Sequence, residues 1–389
     1  MPSLRRSAHL VLPALLLTAS ALAPACSAQT SHRPPSVTER TMPMVTVPDP
    51  LDGLDSRVLA GRRIVYSYPG PVPSPAVLRA IREGRAAGVI LFAENAPDQA
   101  QLHAAVAQLR QAAAEAPDPR PLLLMTDQEG GLVRRLPGPP ELSARRTGLA
   151  ADPIAEAARS GADAGRTLAD AGLNVNLAPV LDVYDAPDNF IDHHERSYGQ
   201  EPAFVARLGS AFLTAQQGLG VAATAKHFPG LGSAAGGLNT DERAVTLPVP
   251  LAELRARGEE PYRAAIAAGV RLVMASWAVY PALDPDRPAG FSPAVVQGEL
   301  RDRLGFRGVT VTDALEAGAL TPYGDAGARA VAAAGAGMDL LLCSGRDAEQ
   351  GEAAAAALAT ALDTGGLDRA AFVGAVHRID DLRATLSGS

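Results

Sequence analysis

Eight short apolar runs, each separated from the next by a longer alanine-rich stretch, constrain this chain more than any other feature of its sequence. The runs are "RRIVYSY" (62 to 68), "GVILFA" (88 to 93), "PLLLMTD" (121 to 127), "LNVNLAPVLDV" (173 to 183), "GVAATAKHF" (220 to 228), "VRLVMASWAVY" (270 to 280), "GVTVTDAL" (308 to 315) and "MDLLLCS" (338 to 344). They are nearly continuous in apolar residues and do not alternate with polar ones, which is the signature of strands buried on both faces of a parallel sheet. Between them lie helical patterns such as "AEAARSGADAGRTLADAG" and "PAFVARLGSAFLTAQQG". Several of these end on glycine just before the next strand, where a helix C-cap belongs. Eight such units predict an α/β fold, a single (β/α)8 barrel. A doubly wound open sheet is the alternative, but no GxGxxG follows the first run.

With 389 residues and 47% hydrophobic content the chain can bury one large core. No composition shift marks a second domain, so the barrel domain is assigned to residues 53 to 389. Residues 1 to 28 read as an export signal: Arg5 and Arg6, an apolar run from Leu10 to Leu22, then small residues around Ala23, Ala25 and Cys26. The run is short for a bilayer span. Cys26 offers a lipidation site and so a membrane tether, although Pro24 is an unusual neighbour for such a cleavage point. Residues 29 to 52, with Pro34, Pro35, Pro43, Pro48 and Pro50 among polar residues, suit a spacer. The only other cysteine is Cys343, so lipidation or removal of Cys26 leaves no intrachain disulfide. A net charge of -7 provides no basic face for a phosphate backbone, and nucleic acid is excluded as an expected partner.

The C-terminal ends of the strands carry the chemistry. The third run ends in Asp127, the fourth in Asp182, the fifth in Lys226 and His227, the sixth in Ser276 and Trp277, the seventh in Thr312 and Asp313. In a barrel these ends converge on one face, where active sites form. The opposite ends begin with Gly88, Gly220, Val270 and Gly308 and show no such charge. Asp313, delivered to the rim by "GVTV", is the carboxylate singled out; it can act as electrostatic partner, metal ligand, base or nucleophile. His193 and His194 in "NFIDHHERSYG" are adjacent and lack an HExxH spacing, so neither a metal site nor a cofactor is expected. In the same loop Arg196 is the residue best suited to binding, because a guanidinium forks onto hydroxyls or a carboxylate. Trp277, the sole tryptophan, is a candidate stacking surface, with core packing the plainer reading. Glu129 is expected to serve structure more than binding.

At these residues the chain resembles a known family. "GVILFAEN", "TDQEGGLVRRLPGPP", "NVNLAPVLDV", "RSYG", "GVAATAKHFPGLG", "YPALDPDRPAGFS" and "LRDRLGFRGVTVTDAL", in this order, are similar to the catalytic barrel of glycoside hydrolase family 3, in particular to bacterial β-N-acetylhexosaminidases. The resemblance spans residues 55 to 345. It implies a carbohydrate substrate and a retaining double displacement, with Asp313 as the nucleophile that forms a glycosyl-enzyme ester. It also implies that Asp127, Arg135, Arg196, Lys226 and His227 hold the hydroxyls of the sugar.

One stretch departs from the family. After "KHFPG" members of this subgroup continue with a histidine and then Asp-Ser-His, whose Asp-His pair serves as acid and base. Here Leu231 replaces the first histidine, and Asn239, Thr240 and Asp241 stand where Asp-Ser-His would. Asp241 is therefore the candidate acid/base, since expulsion of a poor leaving group needs a proton donor. Gly230, Gly232, Gly236 and Gly237 are expected either to let this loop close or to mark a loop without a task. Two further functions compete: a sugar-binding protein that has lost its acid/base, and Schiff-base chemistry at Lys226.

Overall fold

The computed structural model describes residues 50–51, 53–187 and 189–386. Each apolar run contributes one barrel strand: β1 (Ile64–Tyr66), β2 (Gly88–Ile90), β3 (Leu123–Thr126), β4 (Val175–Asn176), β5 (Ala222–Phe228), β6 (Leu272–Ala275), β7 (Val309–Thr312) and β8 (Leu341–Leu342). All neighbours are parallel, in the order β7-β6-β5-β4-β3-β2-β1-β8. A parallel bridge between Val311 and Leu340 joins β7 to β8 and brings the sheet round on itself. The (β/α)8 barrel read from the sequence is the fold.

Two windows end early for local reasons. The fourth loses regular pairing after Asn176 because Pro179 has no N–H to extend the ladder. The chain nevertheless follows β5, with Leu181 N donating to Lys226 O at 2.7 Å. The sixth breaks at Ser276–Trp277, and Val279–Tyr280 pairs instead with Asp284–Pro288 in an antiparallel hairpin. A second hairpin, Gln128–Gly130 with Val133–Arg134, follows β3 directly.

Helix signals are equally local. The helix Pro153–Ala171 starts behind Asp152, whose carboxylate accepts from Ala155 N, and stops at Gly172 in the left-handed region (φ 78°). Its small face lets it lie against the helix Pro202–Gln217; a Cβ on Gly161 would stand 2.1 Å from Phe212 O. Inside the barrel Val65, Ile90, Met125, Val175, Leu272, Met274, Val311 and Leu342 form one apolar cluster, and Ile379, Leu382 and Leu386 of the C-terminal helix Arg369–Leu386 join it. The N-terminal end of the barrel is thus plugged. Arg383 fastens the plug, donating to Ala86 O and Ala87 O at 2.8 and 2.6 Å. At the same end buried Asp339 accepts from Arg301 at 2.7 Å and Arg378 at 2.8 Å. Among the described residues only the opposite mouth is left open.

Candidate active site

A cavity of about 680 Å³ occupies that mouth. Asp127, Arg135, Arg196, Lys226, His227, Asp241 and Asp313 all line it, although they come from separate strand ends and loops. Lys226 and His227 are consecutive, and in a regular strand their side chains would face opposite ways. The register of β5 against β6 shifts between Ala225 and Phe228, and both side chains reach the cavity. The Lys226–His227 and Phe228–Pro229 peptides are cis.

The polar side chains form one continuous chain of contacts. Lys226 Nζ lies 2.7 Å from both Asp127 Oδ1 and Glu129 Oε1. Glu129 accepts a two-pronged bond from Arg196, Nε at 2.9 Å and Nη2 at 2.8 Å. Arg196 Nη2 is 3.5 Å from His227 Nε2, and His227 Nδ1 is 2.7 Å from Asp182 Oδ2. Asp182 is fully buried and its Oδ1 also accepts from Leu231 N at 2.6 Å. Asp182 thus fixes the ring through Nδ1 and leaves Nε2 as the nitrogen turned toward Arg196. Arg135 closes the row, its Nε 3.9 Å from Asp127 Oδ2.

Electrostatics keep the centre of this row, Glu129 and Lys226, ionised. Burial opposes the charged form of Glu129, but Arg196 and Lys226 outweigh it and hold the carboxyl well below the usual carboxylate range. Burial likewise disfavours the Lys226 ammonium, and Asp127 and Glu129 reverse the balance and raise it above its ordinary value. A protonated Lys226 between two carboxylates is a poor amine nucleophile, so the Schiff-base reading has no support in this geometry. Lys226 is the chain's only lysine; every other basic side chain besides histidine is arginine. A compact ammonium can touch two carboxylates from one buried position, where the planar guanidinium fork needs more room.

Across the cavity stands Asp313, whose Oδ1 accepts from Ala314 N at 2.7 Å. Asp241 reaches in from the loop after β5. Partial desolvation first, and the Asp313 charge second, raise its carboxyl above the ordinary aspartate value, while a substantial part of the residue stays open to solvent. The loop is tied down: Gly318 N donates to Asp241 O at 2.7 Å and Ala319 N to Thr240 O at 3.0 Å. Two of its glycines serve close approach. A Cβ on Gly232 would stand 1.8 Å from Val183 O, and one on Gly230 2.8 Å from Gly258 Cα.

Trp277 requires correction as a stacking surface. It is 1% exposed, packs on Phe291 with centroids 4.8 Å apart, and is absent from the cavity wall. Its indole Nε1 donates to Ala314 O at 2.8 Å and so steadies the residue after Asp313. Cys26 lies outside the described residues, and Cys343 is buried, which pushes its thiol upward.

Other residues of the site are harder to read from the sequence. Asp182 was visible as a strand-end acid, but nothing local distinguished an orienting partner from a boundary charge. Glu316, three residues after Asp313, lines the cavity and accepts from Ser344 Oγ at 2.7 Å and Gln350 Nε2 at 2.9 Å. Phe190 and His194 line it too, from the loop after β4.

Comparison with known proteins agrees with this geometry. The family model described as "Glycosyl hydrolase family 3 N terminal domain" matches residues 70–382. An "Uncharacterized secreted glycosyl hydrolase" of Arthroderma benhamiae is 44% identical over 344 residues, covering 88% of this chain and 98% of that protein. A "Beta-hexosaminidase" of Stenotrophomonas maltophilia is 36% identical over 266 residues, 66% of this chain and 75% of that one. Among solved structures, a glycoside hydrolase family 3 beta-N-acetylglucosaminidase from Paenibacillus sp. str. FPU-7 superposes with a TM-score of 0.80 at 35% identity, covering 86% of this chain and 64% of its own.

Proposed function

This chain belongs to glycoside hydrolase family 3 and is a glycoside hydrolase, and from that premise we propose that it is a retaining, exo-acting β-N-acetylhexosaminidase. The observation that carries the reading is that Arg135, Asp127, Lys226, Arg196 and His227 line one cavity with Asp313, with Glu129 buried against Lys226 and Arg196. A pyranose needs several donors and acceptors at fixed positions to hold its hydroxyls, and a carboxylate at its anomeric carbon. Because the barrel is plugged below, the sugar reaches Asp313 through the open mouth.

In the proposed reaction Asp313 attacks the anomeric carbon and forms a glycosyl ester while Asp241 gives its proton to the departing oxygen. Water then attacks the ester, Asp241 takes up the water's proton, and Asp313 leaves as carboxylate. A raised carboxyl at Asp241 favours the acid role, because more of it stays protonated where the enzyme works. Export fits the arginine-led apolar run before Cys26, and the Arthroderma relative is described as secreted. A lipid on Cys26 would anchor the enzyme at a membrane.

A screen of nitrophenyl glycosides on the chain without residues 1 to 28 tests the sugar class, with the β-N-acetylglucosaminide expected to be the best substrate. A 2-fluoro sugar with an activated leaving group is expected to label Asp313, found by peptide mass. Asp241→Ala should lose activity chiefly on poor leaving groups and regain it with azide. Labelling elsewhere sinks the nucleophile; equal losses on good and poor leaving groups sink the acid/base. Sugar binding without turnover of any activated glycoside would favour the binding protein.

A further inference from the structure

The cavity carries aromatic surface that the bond-breaking chemistry does not use. Phe190 and His194 meet edge to face with ring centroids 5.8 Å apart, His193 stands 5.0 Å from His194, and Leu132, 68% exposed at a hairpin tip, lines the same wall. His193 and His194 are exposed and Phe190 is half-buried against the core, so the cavity mouth presents ring surface and a leucine that a ligand's apolar face can cover.

The platform is built, not incidental. Asn189 caps its short helix by accepting from Asp192 N at 2.9 Å, and Arg145 Nε holds Asp192 Oδ1 at 2.9 Å. Ser143 Oγ donates to Glu195 Oε2 at 2.7 Å. Glu195 itself lies in the left-handed region (φ 55°), rare outside glycine. That turn lets His194 and Arg196, on either side of it, both reach the cavity. The platform also adjoins the loop that carries Asp241: Phe190 N donates to Ala234 O at 3.0 Å, and Asn189 bonds Gly232 O. The leaving group must pass that loop if Asp241 protonates it.

We propose that Phe190 and His194, flanked by Leu132, form the subsite that stacks a second sugar ring on the leaving-group side. This rests on the glycosidase reading above. Phe92, which also lines the cavity, is the competing surface, but the Arg346 guanidinium already covers its ring at 4.7 Å. Burial, His193 and Arg196 lower the pKa of His194, which keeps the imidazole neutral and suited to stacking.

The test compares kcat/KM for a β-linked N-acetylglucosamine disaccharide with that for methyl N-acetyl-β-glucosaminide, whose aglycone has no ring. Wild type should prefer the disaccharide. His194→Ala should reduce disaccharide turnover about three- to tenfold and leave the methyl glycoside nearly unchanged, and His194→Phe should retain the preference. Equal losses on both substrates, an unchanged disaccharide rate, or loss of the preference in Phe92→Ala and not in His194→Ala would overturn the proposal. Hydrolysis of neither substrate by wild type would remove the β-N-acetylhexosaminidase reading and this subsite with it.

Discussion

Replacing Glu129 by glutamine removes one negative charge from the centre of the site and almost nothing from its shape. The carboxylate side chain is 7% exposed and takes two bonds from Arg196 and one contact at 2.7 Å from Lys226. Glutamine keeps one acceptor and turns an NH₂ group toward a cation. Charge-assisted bonds contribute roughly 1.5–3 kcal/mol each, and about two are lost or inverted. Lys226 retains Asp127, which moderates the loss, so Glu129→Gln should cost about 3 kcal/mol of stability. The cost should depend on pH with a definite sign. The folded carboxyl lies below its ordinary 4.5, so its stabilisation is complete above that value and drains away as pH falls through it toward the folded pKa. Denaturant melts of wild type and variant at pH 7 and near pH 3 measure both quantities. The gap should be wide at pH 7 and narrower in acid; a constant gap, or one below about 1 kcal/mol at pH 7, would refute the ion-pair account.

Asp182→Asn should lower kcat/KM about ten- to a hundredfold with a far-UV spectrum unchanged, because a charge-assisted bond orienting His227 is lost; NMR of the ring nitrogens would report the altered tautomer. Lys226→Arg should be poorly tolerated despite conserving charge, with both activity and melting temperature reduced, since the fork cannot occupy the ammonium's place between Asp127 and Glu129. Trp277→Phe should cost about 1 kcal/mol through the lost bond to Ala314 and lower activity without abolishing sugar binding, as calorimetry would show. Asp339→Ala, at the far end of the barrel, should cost about 3–5 kcal/mol by leaving Arg301 and Arg378 without their carboxylate, while kcat below the melting transition stays near wild type.

The legibility of the site differed from residue to residue. Asp127, Lys226, His227 and Asp313 stood out because a charged side chain terminating an apolar strand has few purely structural uses at that frequency. Trp277 occupies the same kind of position and went the other way. A strand-end aromatic can face the mouth or fold back onto Phe291, and which it does depends on Gly290 and Phe291, whose arrival no local pattern announces. Gly230 and Gly232 after "KHFP" were equally ambiguous: flexibility and close approach call for the same residue, and only the nearness of Gly258 and Val183 O decides for packing at these two.

The order of elements was written into the chain itself, since burial on two faces and a 3.6-residue period are properties of contiguous residues. So was the gathering of acids and bases at one end of the strands, because all parallel strands point the same way. Tertiary structure alone decided the partners: Lys226 between Asp127 and Glu129, Glu129 under Arg196, Asp182 behind His227, and a ring from the loop after β4 beside the loop that bears Asp241. Those contacts join residues from different βα units, and the balance of burial against charge that sets their ionisation exists only once the chain has closed around them.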